Sequence, residues 1–327
     1  MLKSNKPSIS IVVIIIAFIV FGVAFEYMNG LVAADSRNSD DEYFEIMVDF
    51  TENYPFQWVR SHELFPDGSI IAVGRSEDWW WKNTDAGLML KYSSSGDLIW
   101  AKKVGDSLHS IQLTEDGGYI VIGGFVDHIG MAPSDALLAK FDATDTMEWA
   151  RSFGSLQDDF GSEVAVCPDG GYLVVGHAES GHFLGTSILL FAKIDYQGDL
   201  VWVKSLEVQE SAYIYSILPT ADGGVVATGY FLGDQNPLNP DVITLRLDSM
   251  GSLLWARSIG GPAPDEGRSI CLSENGFLVS GEYTQDSGPN SDPLFVKYSF
   301  SGDLEWAYAI GSDRYWEACL SVINSVD

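Results

Sequence analysis

Basic residues are scarce in this 327-residue chain: 18 Lys and Arg stand against 46 Asp and Glu, a formal net charge of −28. A surface of that sign repels nucleic-acid phosphates and anionic lipid headgroups, so nucleic-acid binding is excluded. Cysteine is also rare: Cys167, Cys271 and Cys319 are the whole set. They fall in separate repeats, and equivalent positions need not be adjacent, so they read as buried free thiols rather than a disulfide framework. The five histidines are scattered, and His177 and His182 straddle a strand-to-loop boundary, which fits no zinc-binding helix. No G-x-S-x-G nucleophile turn occurs. The Gly-Gly pairs precede strands, not helices, so no phosphate-cradling loop is present. A calcium loop of the D-x-D-x-D-G kind is missing too. Helical periodicity is nearly absent beyond the N-terminus.

What is present is a repeat. Its first landmark is an acidic-Gly turn, an apolar run and a closing Gly: DGSIIAVG (Asp67–Gly74), DGGYIVIG (Asp116–Gly123), DGGYLVVG (Asp169–Gly176), DGGVVATG (Asp222–Gly229) and ENGFLVSG (Glu274–Gly281). Their starts lie 49, 53, 53 and 52 residues apart. The second landmark is a small turn leading into a Trp strand: GDLIWAKKVG (Gly96–Gly105), DTMEWARSFG (Asp145–Gly154), GDLVWVKSL (Gly198–Leu206), GSLLWARSIG (Gly251–Gly260) and GDLEWAYAIG (Gly302–Gly311). Trp100, Trp149, Trp202, Trp255 and Trp306 are 49, 53, 53 and 51 apart. Two independent landmarks with matching periods define five tandem units.

Each unit holds four short apolar runs rich in β-branched and aromatic residues. In the third they are Glu163–Cys167, Tyr172–Gly176, Ile188–Ile194 and Leu200–Leu206. Asp-Gly-Gly joins the first two and Gln-Gly-Asp the last two, in tight turns where Gly accepts positive φ. Four antiparallel strands repeated about every 50 residues describe a β-propeller blade. The expected fold is all-β, with five complete four-stranded blades over roughly Phe56–Gly311. Trp58 stands close before Asp67, so it belongs to the first strand of the first blade. FEIMVDF (Phe44–Phe50) reads as the last strand of a partial sixth blade. YWEACLSVI (Tyr315–Ile323), which resembles RSICLSENG (Arg268–Gly276), reads as its first strand. N- and C-terminal strands then share one closing blade, which removes open sheet edges. The chain stops at Asp327, where the next acidic-Gly turn would begin. The closing blade is therefore two-stranded, or the chain is a piece of a longer propeller.

The composite pattern W-[AV]-[KR]-x-x-G, an Asp-bearing loop, D-G-G-Y-x-V-x-G, then an apolar run ending K-[FY] resembles a large class of secreted bacterial and archaeal β-propeller repeat proteins. It covers nearly the whole chain after residue 40, and departs at Tyr308, which takes the basic position. The segment D-x-x-G-x-x-x-W (Asp195–Trp202, Asp248–Trp255) is also similar to quinoprotein-type propeller repeats. There the Trp packs blade against blade, a role the resemblance implies for Trp202 and Trp255. In the equivalent segments before Trp100 and Trp306, Ser93 and Ser299 replace the Asp. The resemblance implies a fold and assigns no activity.

Residues 1–34 are a separate unit. Lys3 and Lys6 precede the apolar run Ile9–Phe25. As a helix, Ser8–Phe25 would be roughly 27 Å long, close to the ~30 Å hydrocarbon core of a bilayer. The charge flank places the N-terminus in the cytoplasm and the rest outside. Val32 and Ala34 offer a cleavage site, so an uncleaved anchor and a cleaved signal peptide both stand. Residues 35–41 form a short acidic tether, and residues 42–327 form the propeller domain.

The loops between second and third strands are long: Arg75–Thr84, Val126–Ser134, Glu179–Thr186, Leu232–Pro240 and Thr284–Ser291. In a four-stranded meander they share a face with the loops between blades, and variable loops on a rigid scaffold carry function. Trp79, Trp80 and Trp81 in the first are candidate ligand-binding residues, suited to sugar stacking, a protein contact or the bilayer interface. Asp106, Asp158, Asp159, Asp265, Glu266 and Asp313 in the loops between blades are candidate metal ligands, with Ca²⁺ the ion their hard oxygens suit. Turn capping explains the same Asp residues without a metal. The expectation is an exported or membrane-tethered cell-surface module that binds a protein or glycan, with no catalytic residue assigned. The alternatives are a propeller enzyme, either a quinoprotein-like oxidoreductase or a glycan-cleaving enzyme whose carboxylate pair nothing selects, and a structural surface-layer component.

Overall fold

The apolar runs become strands at the expected places. The computed structural model describes residues 56–77, 86–126, 134–154, 158–179, 187–207, 212–232, 239–284, 291–311, 319 and 321–322. The N-terminal apolar run, FEIMVDF, Trp79, Trp80, Trp81 and Asp313 lie outside them. Blade 1 comprises β1 (Phe56–Leu64), β2 (Ile70–Glu77), β3 (Ala86–Tyr92) and β4 (Leu98–Lys103). Blade 2 comprises β5 (Ser107–Leu113), β6 (Tyr119–Val126), β7 (Ser134–Phe141) and β8 (Met147–Phe153). Blade 3 comprises β9 (Asp159–Val166), β10 (Tyr172–Glu179), β11 (Ser187–Ile194) and β12 (Leu200–Glu207). Blade 4 comprises β13 (Ala212–Pro219), β14 (Val225–Phe231), β15 (Asp241–Leu247) and β16 (Leu253–Ile259). Blade 5 comprises β17 (Glu266–Ser273), β18 (Gly276–Thr284), β19 (Ser291–Ser299) and β20 (Leu304–Ala309). Each blade is an antiparallel meander in chain order, and no helix occurs among the described residues. Five such sheets are consistent with a β-propeller.

Strand alternation explains where the core sits. In D-G-G-Y-I-V-I-G, Tyr119 and Val121 point to one face of blade 2 and Ile120 and Ile122 to the other. The first pair packs with Ile71, Val73 and Met89 of blade 1. The second packs with Val164, Tyr172 and Val174 of blade 3. Two further cores lie between blades 3 and 4 and between blades 4 and 5. Stability therefore resides between neighbouring sheets. The polar repeat residues tie the tight turns together. Within a blade, Lys140 reaches Asp116 at 2.8 Å and Glu148 at 3.0 Å, Lys193 reaches Asp169 at 2.8 Å, and Arg246 reaches Asp222 at 2.6 Å. The basic residue of K-[FY] thus clamps the acid of the D-G-G turn, its stem buried beside the core.

The Trp strand joins each blade to the next. The Trp202 indole N–H donates to Ser249 O at 2.9 Å, and that of Trp255 to Phe300 O at 3.3 Å. Both acceptors lie in the β3–β4-type turn of the following blade. Trp149 covers Gly198 in the same way, and a Cβ on Gly302 would stand 2.6 Å from the Trp255 ring, inside van der Waals contact. The basic residue of W-x-[KR] lies over that Trp and reaches the same turn. Arg257 donates to Gly302 O at 2.7 Å and sits 5.9 Å from the Trp255 ring. Lys102 donates to Asp145 O at 2.6 Å and sits 4.6 Å from the Trp100 ring. The role implied for Trp202 and Trp255 extends to Trp100, whose N–H donates to Asp145 Oδ2 at 2.9 Å. Trp306 differs: it is 38% exposed and its ring meets Tyr308 at 5.3 Å.

The first strand of every blade carries a β-bulge, at Arg60, His109, Ser162, Tyr215 and Arg268. Opposite each bulge stands the Gly that closes the first landmark. A Cβ on Gly74, Gly123, Gly176, Gly229 or Gly281 would collide with a backbone carbonyl of the bulged strand. The repeat Gly is therefore the residue that lets the bulge form.

Beyond blade 5 the chain returns to the first strands. Val322 N donates to Ser269 Oγ at 3.2 Å, as Ile111 N does to Ser61 Oγ and Ile270 N to Ser216 Oγ, both at 3.4 Å. Val322 thus stands toward β17 as Ile270 stands toward β13. The shared Cys-Leu-Ser would instead match Cys319 with Cys271, a register four residues away. All three cysteines are free thiols; Cys167 and Cys271 are buried and Cys319 is partly exposed.

Candidate functional site at the inner mouth

The bulges and the ends of the second strands place a set of unlike side chains together. The N-terminal half of each first strand pairs with the C-terminal half of its second strand, as Trp58 does with Arg75. This is the end from which the long loops leave. In blade 3, Phe160 stacks on His177 at 5.3 Å, and Ser162 Oγ lies 3.5 Å from His177 Nδ1. In blade 4, Tyr213, Tyr215 and Tyr230 form one cluster with ring separations of 4.8 to 6.2 Å. In blade 5, Arg268 bridges Glu266 at 2.8 Å and Glu282 at 3.0 Å.

These sets connect across blades. The His177 ring meets Tyr213 at 5.2 Å, and the Arg268 guanidinium lies 4.5 Å over the Tyr215 ring. His109 Nδ1 is 2.7 Å from Gly161 O, so Nδ1 carries the proton. Burial, against the hydrogen bond to Gly161 O and with the charges of Arg60 and Arg75, holds the His109 pKa below its ordinary value. Burial also lowers that of His177, against the nearby Asp159 carboxylate. Both imidazoles are neutral at pH 7, each with one donor and one acceptor nitrogen. Burial, then the Glu266 charge, raises the Tyr215 phenol, which stays protonated. The mouth thus carries Arg60 and Arg75 at blade 1, neutral imidazole, hydroxyl and aromatic groups at blades 2 to 4, and a Glu–Arg–Glu triad at blade 5.

Deeper along the first strands lie two carboxyl groups. Glu163 accepts a hydrogen bond from Ser110 Oγ at 2.9 Å. It keeps partial solvent access, yet burial and the nearby Glu63 push its pKa up to about 8. Burial pushes Glu63 up to about 7.

The acids read as candidate calcium ligands take individual places. Asp158 Oδ1 accepts from Ser134 N at 2.7 Å. Asp265 accepts from Gly261 N at 2.6 Å and Thr284 N at 2.7 Å, and burial raises its pKa to about 6. Glu266 pairs with Arg268. Asp106 precedes β5, its N–H donating to Gly124 O at 2.9 Å, and Asp159 opens β9 as a buried residue. No group of three or more His, Cys, Asp or Glu side chains converges as a metal would require, among the described residues. Asp158 and Asp265 each cap backbone N–H groups, the turn chemistry open to them. Melting temperatures in Ca²⁺ and in EDTA are expected to coincide; a clear rise in Ca²⁺ would return these acids to a metal site.

The mouth residues escaped the sequence reading, which stopped at the closing Gly of the first landmark. The signal was the next position, Arg75, Gly124, His177, Tyr230 and Glu282, where the repeat stops repeating.

No known protein family matches the chain, and no curated protein does. Several solved structures do. One is a protein of unknown function from Bacteroides caccae, at 11% identity over 82% of this chain and 87% of that one, with a TM-score of 0.49. A second is the WD40 domain of Neurospora crassa Pan2, at 10% identity over 81% of this chain and 68% of that one, TM-score 0.47. A third is the β-propeller domain of the trilobed protease from Pyrococcus furiosus, at 7% identity over 79% of this chain and 71% of that one, TM-score 0.47. None of these identities reaches a level at which an activity would transfer.

Proposed function

We propose that this chain is an exported, membrane-tethered β-propeller that serves as a cell-surface binding module, with a protein or glycan partner docking at the inner mouth. One observation carries the reading. The repeat keeps its Gly, Trp and turn residues from blade to blade, yet at two structurally equivalent positions it supplies unlike polar and aromatic groups. These are Arg60, His109, Ser162, Tyr215 and Arg268 at the bulge, and Arg75, Gly124, His177, Tyr230 and Glu282 after the Gly. A purely architectural position would repeat like its neighbours; a recognition surface needs asymmetry.

The export half rests on Lys3, Lys6 and the apolar run Ile9–Phe25. A sixth, shared blade is supported by Val322, which takes toward Ser269 the place Ile270 takes toward Ser216. Its last strand is proposed to be Phe44–Phe50.

A photo-reactive phenylalanine at Tyr213 is expected to capture a partner on intact cells, and protease added outside is expected to destroy the adduct. The same residue at Tyr196, a 64% exposed turn position, is the control and is expected to capture nothing specific. Equal capture from both positions, or none, defeats the binding reading. Protease resistance defeats the export reading.

A further inference from the structure

We propose a second site, independent of the mouth, in the cavity between blades 2 and 3 at the end of the tight turns, where Trp149 and Tyr172 hold one small uncharged sugar ring. The joint between blades 1 and 2 is the template. There the Asp145 carboxylate accepts from the Trp100 indole at 2.9 Å, from Lys91 at 3.0 Å and from the Tyr119 hydroxyl at 3.3 Å. Phe65 packs edge-on against Tyr119 at 6.0 Å, with the Lys91 ammonium 5.0 Å from its ring. The next joint keeps the surrounding residues, as Trp149, Lys140 and Tyr172. It loses both residues that fill the space: Gly198 takes the place of Asp145, and Thr114 that of Phe65. A cavity of about 340 Å³ opens there, lined by Thr114, Lys140, Trp149 and Tyr172, a size suited to a small ligand.

Two donors of this lining have no acceptor. Trp100, Trp202 and Trp255 each donate their indole N–H across a joint. The Trp149 N–H has no hydrogen-bond partner among the described residues, and neither has the hydroxyl of Tyr172, a residue only 2% exposed. Burial, then the Asp116 and Glu148 charges, push that phenol up to about 12, so it keeps its proton to donate. The Lys140 ammonium is already held by Asp116 at 2.8 Å, by Glu148 at 3.0 Å and by Phe141 O at 3.0 Å. The ligand must therefore bring an uncharged acceptor. A carboxylate would face Glu115, Asp116 and Glu148 with one ammonium among them. A cation would leave the indole N–H without an acceptor. A sugar hydroxyl accepts and donates at once: it takes the bonds of Trp149 and Tyr172, and its neighbours donate to the half-exposed carboxylates of Asp116 and Glu148. The exposed Tyr196 ring at the rim offers a face to the C–H side of the sugar.

The test is isothermal titration of the full-length protein with the methyl glycosides of glucose, galactose and mannose, and with glucuronate and tetraglycine. At least one glycoside is expected to bind, and more tightly than glucuronate or the peptide. Tyr172→Phe is expected to weaken it roughly fivefold to tenfold, the loss of one hydrogen bond. Gly198→Asp rebuilds the carboxylate of the preceding joint and is expected to abolish binding. The backbone permits it, since Gly198 has φ of 86° and Asp145 already holds 64°. Near-ultraviolet circular dichroism shows whether Gly198→Asp keeps the fold, and Tyr172→Phe decides the matter if it does not. No binding of any glycoside, tighter binding of glucuronate or tetraglycine, or unchanged affinity in Tyr172→Phe or in folded Gly198→Asp overturns the proposal. Tyr196 stands on this rim, so the absence of a specific adduct there on cells marks the ring as a free solute; a glycan adduct overturns that source. Gly198→Asp is expected to leave capture at Tyr213 unchanged, so this site and the mouth fail separately.

Discussion

Glu163→Gln is expected to leave stability near pH 5 almost unchanged and to raise it by on the order of 4 kcal/mol above pH 8. In the folded protein the carboxyl is pushed from its ordinary 4.5 up to about 8, so the native state holds a proton that the unfolded chain releases. A raised folded-state value gives stability that is fully present below pH 4.5 and lost as pH rises through 8. Gln keeps the shape and the bond from Ser110 Oγ, at 2.9 Å in the acid, without the ionisation. Three histidines work the other way. His62, His109 and His177 have lowered values, so their contribution fades as pH falls below 6.5. That effect is common to wild type and variant and cancels in the difference. Urea unfolding at pH 5 and pH 8.5 reads the result; a difference independent of pH would mean that Glu163 is ionised in the native protein.

Asp145→Ala is expected to cost about 3–4 kcal/mol, and Asp145→Gly about 1 kcal/mol less. The site sets two effects against each other. Asp145 has φ of 64°, the one non-Gly residue with positive φ among those described, where the other blades place Gly96, Gly198, Gly251 and Gly302. Gly would relieve that strain. Its carboxylate, however, accepts from the Trp100 indole at 2.9 Å, from Lys91 at 3.0 Å and from the Tyr119 hydroxyl at 3.3 Å. These donors are largely buried, so losing the acceptor outweighs relieving the strain. Urea midpoints of Ala, Gly and Asn variants separate the contributions, and a cycle with Trp100→Phe isolates the indole bond. If the Gly variant matched wild type, the contacts would carry no net stability.

The repeat made the strands legible because alternation is a local signal. Tyr172–Gly176 and Leu200–Leu206 lie almost wholly within β10 and β12. First strands were read short: Glu163–Cys167 was expected, but β9 begins at Asp159. The missing half is the polar, bulged half, where the extra residue Ser162 breaks the period. That half builds the mouth, so the rule that finds strands hides the site. Arg268 meets Tyr215, and His177 meets Tyr213, from different blades; such pairs leave no trace in local sequence. Acidic loops were visible as composition, but whether oxygens converge or cap separate backbones is a three-dimensional fact. The stop at Tyr308 was readable as a departure, and its setting explains it: the basic residue serves the next blade's turn, and Trp306 covers no such turn among the described residues.

The joint between blades is directional. Blades 1 to 4 each carry a Trp that seats on the successor, and blades 2 to 5 each carry the turn that receives it, as Trp255 on Gly302 and Trp202 on Gly251 show. An in-frame tandem duplication of one unit therefore copies plug and socket together, and the inserted blade fits both neighbours without compensating mutations. Blade number in such a lineage can change by single recombination events, while the mouth, built from the two positions free to diverge, is rewritten one substitution at a time.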